Sequence, residues 1–235
     1  MNNARGHIHL ASTNVELNRR AILHDVMFHA NPGDVHCVIG ANGSGKSTLL
    51  RVLSGDIPVK GLMLNETDMN DLSISERARI RSVLRPSVRP DFPYLVSDIV
   101  AWALLRTRSP QPEKGSTSDQ VLTVLGTVGI AELADRPVTQ LSTGQLTKVN
   151  IASVLLQNAG IVFADEPEAA LDPVARIDAW NHLTSGDFTA VIATHSLDLV
   201  MQFATHITAV KAGRVVFTAQ RQEVTIEDLQ KIYAV

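Results

Sequence analysis

An α/β fold with a largely parallel sheet is what this 235-residue sequence predicts. Short apolar runs rich in β-branched residues, Val35 to Ile39, Ile161 to Ala164, Ala190 to Thr194 and Ile207 to Val210, have the length and character of buried strands. Segments of helical pattern separate them. The first run leads directly into a glycine-rich octapeptide and then an apolar helical stretch, a strand–loop–helix order.

Bulk properties narrow the field. The chain is long enough to bury a real core and fits one large domain or two small ones. Hydrophobic residues at 45% and charged residues at 19% are ordinary for a globular protein. A formal net charge of -3 gives no footprint for general nucleic-acid binding. Cys37 is the only cysteine, so no internal disulfide can form, and its apolar neighbours predict a buried structural thiol in a reducing compartment. Met1 to Leu10 lacks the apolar stretch of a secretory signal, and no run approaches the roughly 20 apolar residues that cross a bilayer. Any role at a membrane is therefore expected to run through a partner, with the cytoplasm as the default location.

The remaining elements follow in order. Ile74 to Leu84 reads as a helix opened by the capping box Ser73-x-x-Glu76. Ser97 to Leu105, Thr117 to Val128 and Ser142 to Gln157 also read as helices, so the middle third looks like a helical insertion in an α/β core. Pro110 to Asp119 reads as a flexible surface loop. Near the end, a turn at Ala212-Gly213 between Ile207 to Val210 and Val215 to Phe217 predicts a hairpin, followed by a short helix from Thr225 to Tyr233.

The octapeptide Gly40-Ala41-Asn42-Gly43-Ser44-Gly45-Lys46-Ser47 matches G-x-x-x-x-G-K-[ST] in full, and Thr48 continues it into the helix. Its glycines let backbone N–H groups converge on phosphate oxygens, helped by the helix N-terminus. Lys46 is expected at the β- and γ-phosphates and Ser47 on Mg²⁺. A glycine-rich turn without nucleotide is the plain alternative, but it does not need Lys and Ser in register after a strand. Ile161-Val162-Phe163-Ala164-Asp165-Glu166 is an apolar strand ending in two carboxylates. Asp165 is suited to hold Mg²⁺ and Glu166 to act as general base toward the attacking water. Alone the two would read as solvated acids; beside a phosphate loop they do not. Apart from His195, the histidines show no metal-ligand spacing.

Leu141-Ser142-Thr143-Gly144-Gln145 resembles the signature sequence of the ATP-binding-cassette (ABC) family, usually written LSGGQ. Ser142 and Gln145 also form a capping box, which places Ser142 at a helix N-terminus. The resemblance implies a P-loop NTPase of the ABC-ATPase fold over 1–235. That fold has a mostly parallel sheet core, an N-terminal antiparallel β portion and a helical subdomain inserted at about 87–158. It implies an ATPase with ATP and Mg²⁺ as cofactors, whose signature acts in trans on ATP sandwiched in a head-to-tail homodimer. It further implies that Ala169-Ala170-Leu171-Asp172 is the D-loop crossing that interface and that His195 is the switch histidine contacting the γ-phosphate. Integral-membrane permease subunits would be the partners, a substrate-binding protein an indirect one and nucleic acid none, with the chain on the cytoplasmic face of the membrane. Phe92 to Val100 and the short C-terminal end resemble the ATPases of haem and iron-siderophore importers. Cobalamin or metal-ion cargo, or a degenerate regulatory cassette, remain alternatives. A translation or DNA-repair cassette usually carries two cassettes or long insertions, and a GTPase would carry an N-K-x-D motif absent here.

Four departures from the family pattern bear on mechanism. Pro86 stands where the Q-loop glutamine belongs, and no glutamine occurs before Gln111. No aromatic residue precedes Phe28, so the usual adenine-stacking ring near Val15 to Leu17 is replaced by apolar packing. Thr143 replaces a signature glycine and its side chain crowds a phosphate-facing surface. Ala169 replaces a D-loop serine. ATP binding should persist, with hydrolysis slowed or coupled by other contacts. Arg77, Arg79, Arg81, Arg85 and Arg89 surround the altered Q-loop, either as a solvated face or as cations set against a permease.

Overall fold

The computed structural model describes residues 6–86, 91–107 and 117–233. Strands β1 (Ile8–Leu17) and β2 (Arg20–Ala30) open the chain as an antiparallel hairpin. Asn18 and Arg19 at its turn take φ of 51° and 61°, the paired left-handed geometry that matches strand twist. Strand β3 (Val35–Ile39), buried at every position, feeds helix α1 (Lys46–Leu53). Short strands β4 (Leu62–Leu64) and β5 (Thr67–Asp68) return to the first sheet, whose order is β2-β1-β4-β5.

Helix α2 (Ile74–Ile80) begins with the expected capping box of Ser73 and Glu76. It stops short of the predicted Leu84. Arg81 has φ -136° and ψ 147°, and Arg81–Leu84 is strand β6. The cause is tertiary: these residues pair in parallel with Ile161 to Ala164, and Ser82 and Leu84 are buried by the pairing. A saturated ladder and apolar burial override local helical pattern.

Helices α3 (Val96–Thr107), α4 (Thr117–Thr127) and α5 (Thr143–Gln157) follow, with α5 packed against both α3 and α4. Of the predicted loop Pro110 to Asp119, residues 110–116 lie outside the described residues. Thr117 to Asp119 instead form the first turn of α4. Arg89 also lies outside the described residues.

The chain then alternates regularly. Strand β7 (Ile161–Asp165), helix α6 (Pro173–Thr184), strand β8 (Thr189–Ala193) and helix α7 (Leu197–Phe203) lead to strands β9 (His206–Lys211) and β10 (Arg214–Gln220), then helix α8 (Ile226–Tyr233). The second sheet has the order β10-β9-β3-β8-β7-β6, parallel except for the β9–β10 hairpin.

Side-chain alternation divides its interior into two cores. Cys37, Ile39, Val162, Ala164, Ala190 and Ile192 face a core shared with residues of α3 to α8. Val38, Ile161, Phe163, Val191 and Ala193 face the core that α1 and the antiparallel sheet close. Each fully buried aliphatic side chain of this kind contributes about 1.5–3 kcal/mol. Among the described residues no helix is long and apolar enough to cross a membrane.

Candidate active site

The parallel strands end at one rim, and register decides what meets there. Val38 of β3 and Asp165 of β7 both pair with Ala193 of β8, so the segments that follow these strands lie side by side. The Glu166 N–H donates to Ala193 O at 2.9 Å, and the Thr194 N–H donates to Val38 O at 3.0 Å.

The phosphate loop leaves β3 at Gly40, whose φ is 149°. A Cβ there would lie 2.2 Å from Val210 O and 2.7 Å from Ser44 Oγ, so only glycine fits. The loop is tied to its surroundings by backbone bonds: Gly213 N–H donates to Ser44 O at 2.8 Å, and His24 N–H donates to Gly213 O at 2.8 Å. Gly213 is the second residue of the Ala212-Gly213 turn, and a Cβ on it would strike Ile22 O at 2.1 Å. Ala41, Asn42 and Gly43 form the exposed crest. Ser44 Oγ is buried with no hydrogen-bond partner among the described residues, a polar group free to meet a phosphate oxygen. Gly45 caps α1 with φ 111°, and Lys46, Ser47 and Thr48 form the first helical turn.

Lys46 is 5% exposed, and its Nζ donates to Gly40 O at 2.8 Å and Ala41 O at 3.1 Å. Burial pushes its pKa below the usual ammonium value, opposed by the negative charges of Glu166 and Asp165. Ser47 Oγ donates to Asp165 Oδ1 at 3.2 Å, which joins α1 to the end of β7. Burial raises the Asp165 pKa, the Ser47 bond lowers it, and Glu166 raises it again. A hydroxyl and a carboxylate at this separation form an oxygen donor set that suits a hard divalent cation.

Glu166 adopts φ 46°, left-handed for a residue with a side chain and costing about 1–3 kcal/mol. Its Oε1 lies 3.4 Å from His195 Nδ1. The structure thus gathers Lys46, Ser47, Asp165, Glu166 and His195 at one rim. Two residues that motif reading missed join them. Tyr233 Oη accepts from the Gly40 N–H at 3.2 Å, and burial, then Glu166, pushes the phenol pKa up. Glu168, 6% exposed, accepts hydrogen bonds from Thr194, Ser196 and Trp180. A charged residue just beyond an acidic pair looks like solvated surface in a sequence, and nothing local signals its burial.

Leu141 is buried, while Ser142 and Thr143 are exposed at the start of α5. The Ser142 side chain accepts from Gln145 N–H at 3.2 Å and Gln145 Oε1 accepts from Ser142 N–H at 3.0 Å, the reciprocal box. Thr143 has no positive φ, so it is unstrained at the first helical position. A Cβ on Gly144 would sit 3.1 Å from Ala170 O, which shows how closely signature and D-loop pack. Ala169 and Ala170 are exposed and Leu171 half-buried; Asp172 caps α6 by accepting from Val174 N–H at 3.0 Å and Ala175 N–H at 2.9 Å. These bonds hold its carboxyl below the usual range.

The departures also acquire places. Pro86 is exposed and lines a cavity of about 510 Å³ together with Leu50, Ser54, Asp56, Arg85 and Asp165. Arg81 and Arg85 share Asp56, at 3.2 and 2.5 Å. Val15 and Phe28 are both 4% exposed, and Phe28 packs on His36, so neither offers a free ring or face to a base.

Comparison with known proteins gives the family. Residues 23–169 match the family model described as ABC transporter. The hemin import ATP-binding protein HmuV of Roseobacter denitrificans is 34% identical over 216 residues, which cover 87% of this chain and 81% of that protein. The phosphonates import ATP-binding protein PhnC of Lactococcus lactis is 31% identical, covering 90% of this chain and 92% of the relative. A solved dimeric ATP-binding cassette, MJ0796, bound to ADP and Pi, shares the fold with a TM-score of 0.80 at 22% identity, over 91% of this chain and 98% of that one. The chain belongs to the ABC transporter family, as an ATP-hydrolysing cassette.

Proposed function

We propose that this chain is the motor subunit of an importer that takes up haem or an iron-siderophore complex through a separate membrane permease. The observation that carries the motor reading is the single rim joining Lys46, the Ser47–Asp165 pair and the Glu166–His195 pair. ATP would lie with its phosphates in the loop Gly40 to Thr48, where backbone N–H groups, Ser44 Oγ and Lys46 meet the β- and γ-oxygens. Its arrival would move Lys46 off the two loop carbonyls it now holds. Ser47 and Asp165 would hold Mg²⁺, which when bound neutralises charge on the β- and γ-phosphates. Glu166 takes a proton from water as the water oxygen attacks the γ-phosphorus; the bond to the bridging oxygen breaks, leaving ADP and phosphate. His195, with Nδ1 3.4 Å from Glu166 Oε1, would orient that carboxylate and contact the γ-phosphate.

The exposed Ser142, Thr143, Ala169 and Ala170 support a head-to-tail homodimer, in which the signature Leu141 to Gln145 and the D-loop Ala169 to Asp172 complete the partner's site. Helices α3 to α5 would be the inserted helical subdomain, at about 87–158. The exposed edge at Arg85 and Pro86 would meet the permease, placing the chain at the cytoplasmic face of the membrane through that partner. A substrate-binding protein would act only through that permease, and no nucleic acid is involved. The haem reading leans on the hemin importers among the relatives; PhnC makes phosphonate the competing cargo.

The test is ATP turnover by the subunit assembled with its permease, beside Glu166→Gln. The variant should be slower by about 10²–10⁴-fold. A wild type no faster than the variant would mean a nucleotide-binding regulator and not a motor. Uptake of haem and of an alkylphosphonate into proteoliposomes holding the whole transporter decides the cargo.

A further inference from the structure

We propose that Glu168 is a positioning residue for hydrolysis, setting the Glu166–His195 pairing through the loop that carries His195. It rests on the reading that this pair acts at the γ-phosphate.

Glu168 sits two residues after Glu166 in the turn leaving β7, yet its side chain points inward. One carboxylate oxygen accepts from the Thr194 hydroxyl and, at 3.1 Å, from Ser196 Oγ; the other accepts from Trp180 Nε1 at 3.2 Å. Thr194 and Ser196 are the residues on either side of His195. Thr194 Oγ1, having donated to Glu168, in turn accepts the Ser196 N–H at 2.9 Å. The Thr194 N–H is itself spent on Val38 O at 3.0 Å. The peptide around His195 is therefore clamped on both sides, while the imidazole itself is 53% exposed and lies 3.4 Å from Glu166 Oε1.

The chemistry explains why an acid stands here. Three donors converge on one side chain, and an ionised carboxylate is the acceptor-only group that can take them all. An apolar residue would leave the buried Trp180 Nε1–H and Thr194 hydroxyl without their acceptor, and the part-buried Ser196 hydroxyl with them. Glu168 thus ties three elements together: the turn after β7 that bears Glu166, the loop after β8 that bears His195, and Trp180 of α6. With every oxygen occupied and the side chain buried, it does not touch nucleotide. Its influence reaches the reaction through the Glu166–His195 geometry.

The experiment is a double-mutant cycle on the subunit assembled with its permease, reading kcat and KM for ATP. Glu168→Gln, which keeps the shape but aims an amide N–H₂ at a donor, should lower kcat about tenfold with KM within about twofold. In a His195→Ala background the same substitution should change kcat by less than about twofold, because the residue it acts through is gone. Ser196→Ala, removing one arm of the clamp, should give about a threefold loss that also vanishes in that background; it carries the test if Glu168→Gln fails to fold. Losses that multiply with His195→Ala would make Glu168 a purely structural residue and overturn the proposal, as would an unchanged kcat in Glu168→Gln. His195→Ala turning over like the wild type would instead overturn the role of His195, an outcome visible without any Glu168 variant.

Discussion

Around the phosphate loop, side chains are held by bonds that span the sequence: Ser47 to Asp165, Gly40 to Tyr233, Glu168 to Thr194. Around the signature and D-loop they are held by bonds two or three residues long, Ser142 with Gln145 and Asp172 with Val174 and Ala175. The first region is shaped by the whole fold, with Ser44, Lys46 and Glu168 buried beneath an exposed crest. The second is shaped by helix caps and lies exposed. A site whose geometry must be right before ATP arrives is best anchored on buried groups. On the proposed reading a second copy completes the exposed surface, which then needs only correct local shape, and helix caps supply that.

The largest effect that probes this division is Lys46→Ala. A charge-assisted hydrogen bond contributes about 1.5–3 kcal/mol, so ATP affinity of the isolated subunit should drop about 10–100-fold. Isothermal titration of the subunit alone reads it. An affinity within about twofold of wild type would show that the loop binds without its lysine and that the buried anchor of this region is not what selects nucleotide.

The same division explains what was legible beforehand. Caps and phosphate-loop spacing are local, so Ser73, Ser142 and Gly40 to Ser47 could be read directly, as could the buried runs of β3, β7, β8 and β9. Strand β6 was not legible, because Arg81 to Leu84 continues a helical pattern and becomes a strand only by pairing with β7. The antiparallel hairpin entered only through family resemblance: its turn residues Asn18 and Arg19 are a weak signal, and β1 carries register shifts that blur alternation. Glu168 and Tyr233 were invisible because their partners lie far along the chain.

Acid should discriminate between the regions next. His36 on β3 lies buried between Phe28 and His206, with Nε2 2.7 Å from Thr208 Oγ1. Burial, then the nearby His206 and His29, lowers its pKa from 6.5 to about 3. Between those values the unfolded chain binds a proton that the folded chain refuses, so stability is present above pH 6.5 and falls as pH drops toward 3. The loss from this group reaches at most about 1.4 kcal/mol per pH unit. Urea titrations at pH 8 and pH 5 should show a smaller decline for His36→Gln than for wild type; equal declines would remove His36 from the account.

Ser142→Ala tests the exposed region. Losing the cap should cost about 1 kcal/mol, seen as faster hydrogen exchange in the first turn of α5. If the signature serves a partner's nucleotide, as proposed, ATP affinity of the isolated subunit should stay within about twofold. A drop in affinity comparable to that of Lys46→Ala would dissolve the distinction between the regions.

The smallest expected effect sharpens it most finely. Thr143 sits exposed at the first position of α5 with ordinary helical backbone, so Thr143→Gly relieves no strain and should lower stability by only about 0.3 kcal/mol. Whatever it gains must come from the surface it clears. If a partner's γ-phosphate approaches this helix end, removing the Cβ, methyl and hydroxyl should raise turnover of the assembled transporter by about threefold while leaving ATP affinity of the single subunit alone. Turnover unchanged or lowered would mean that Thr143 already meets the facing nucleotide well, its hydroxyl standing in as a donor where the family uses a bare backbone. Either result reads the exposed half of the molecule through the partner proposed for it.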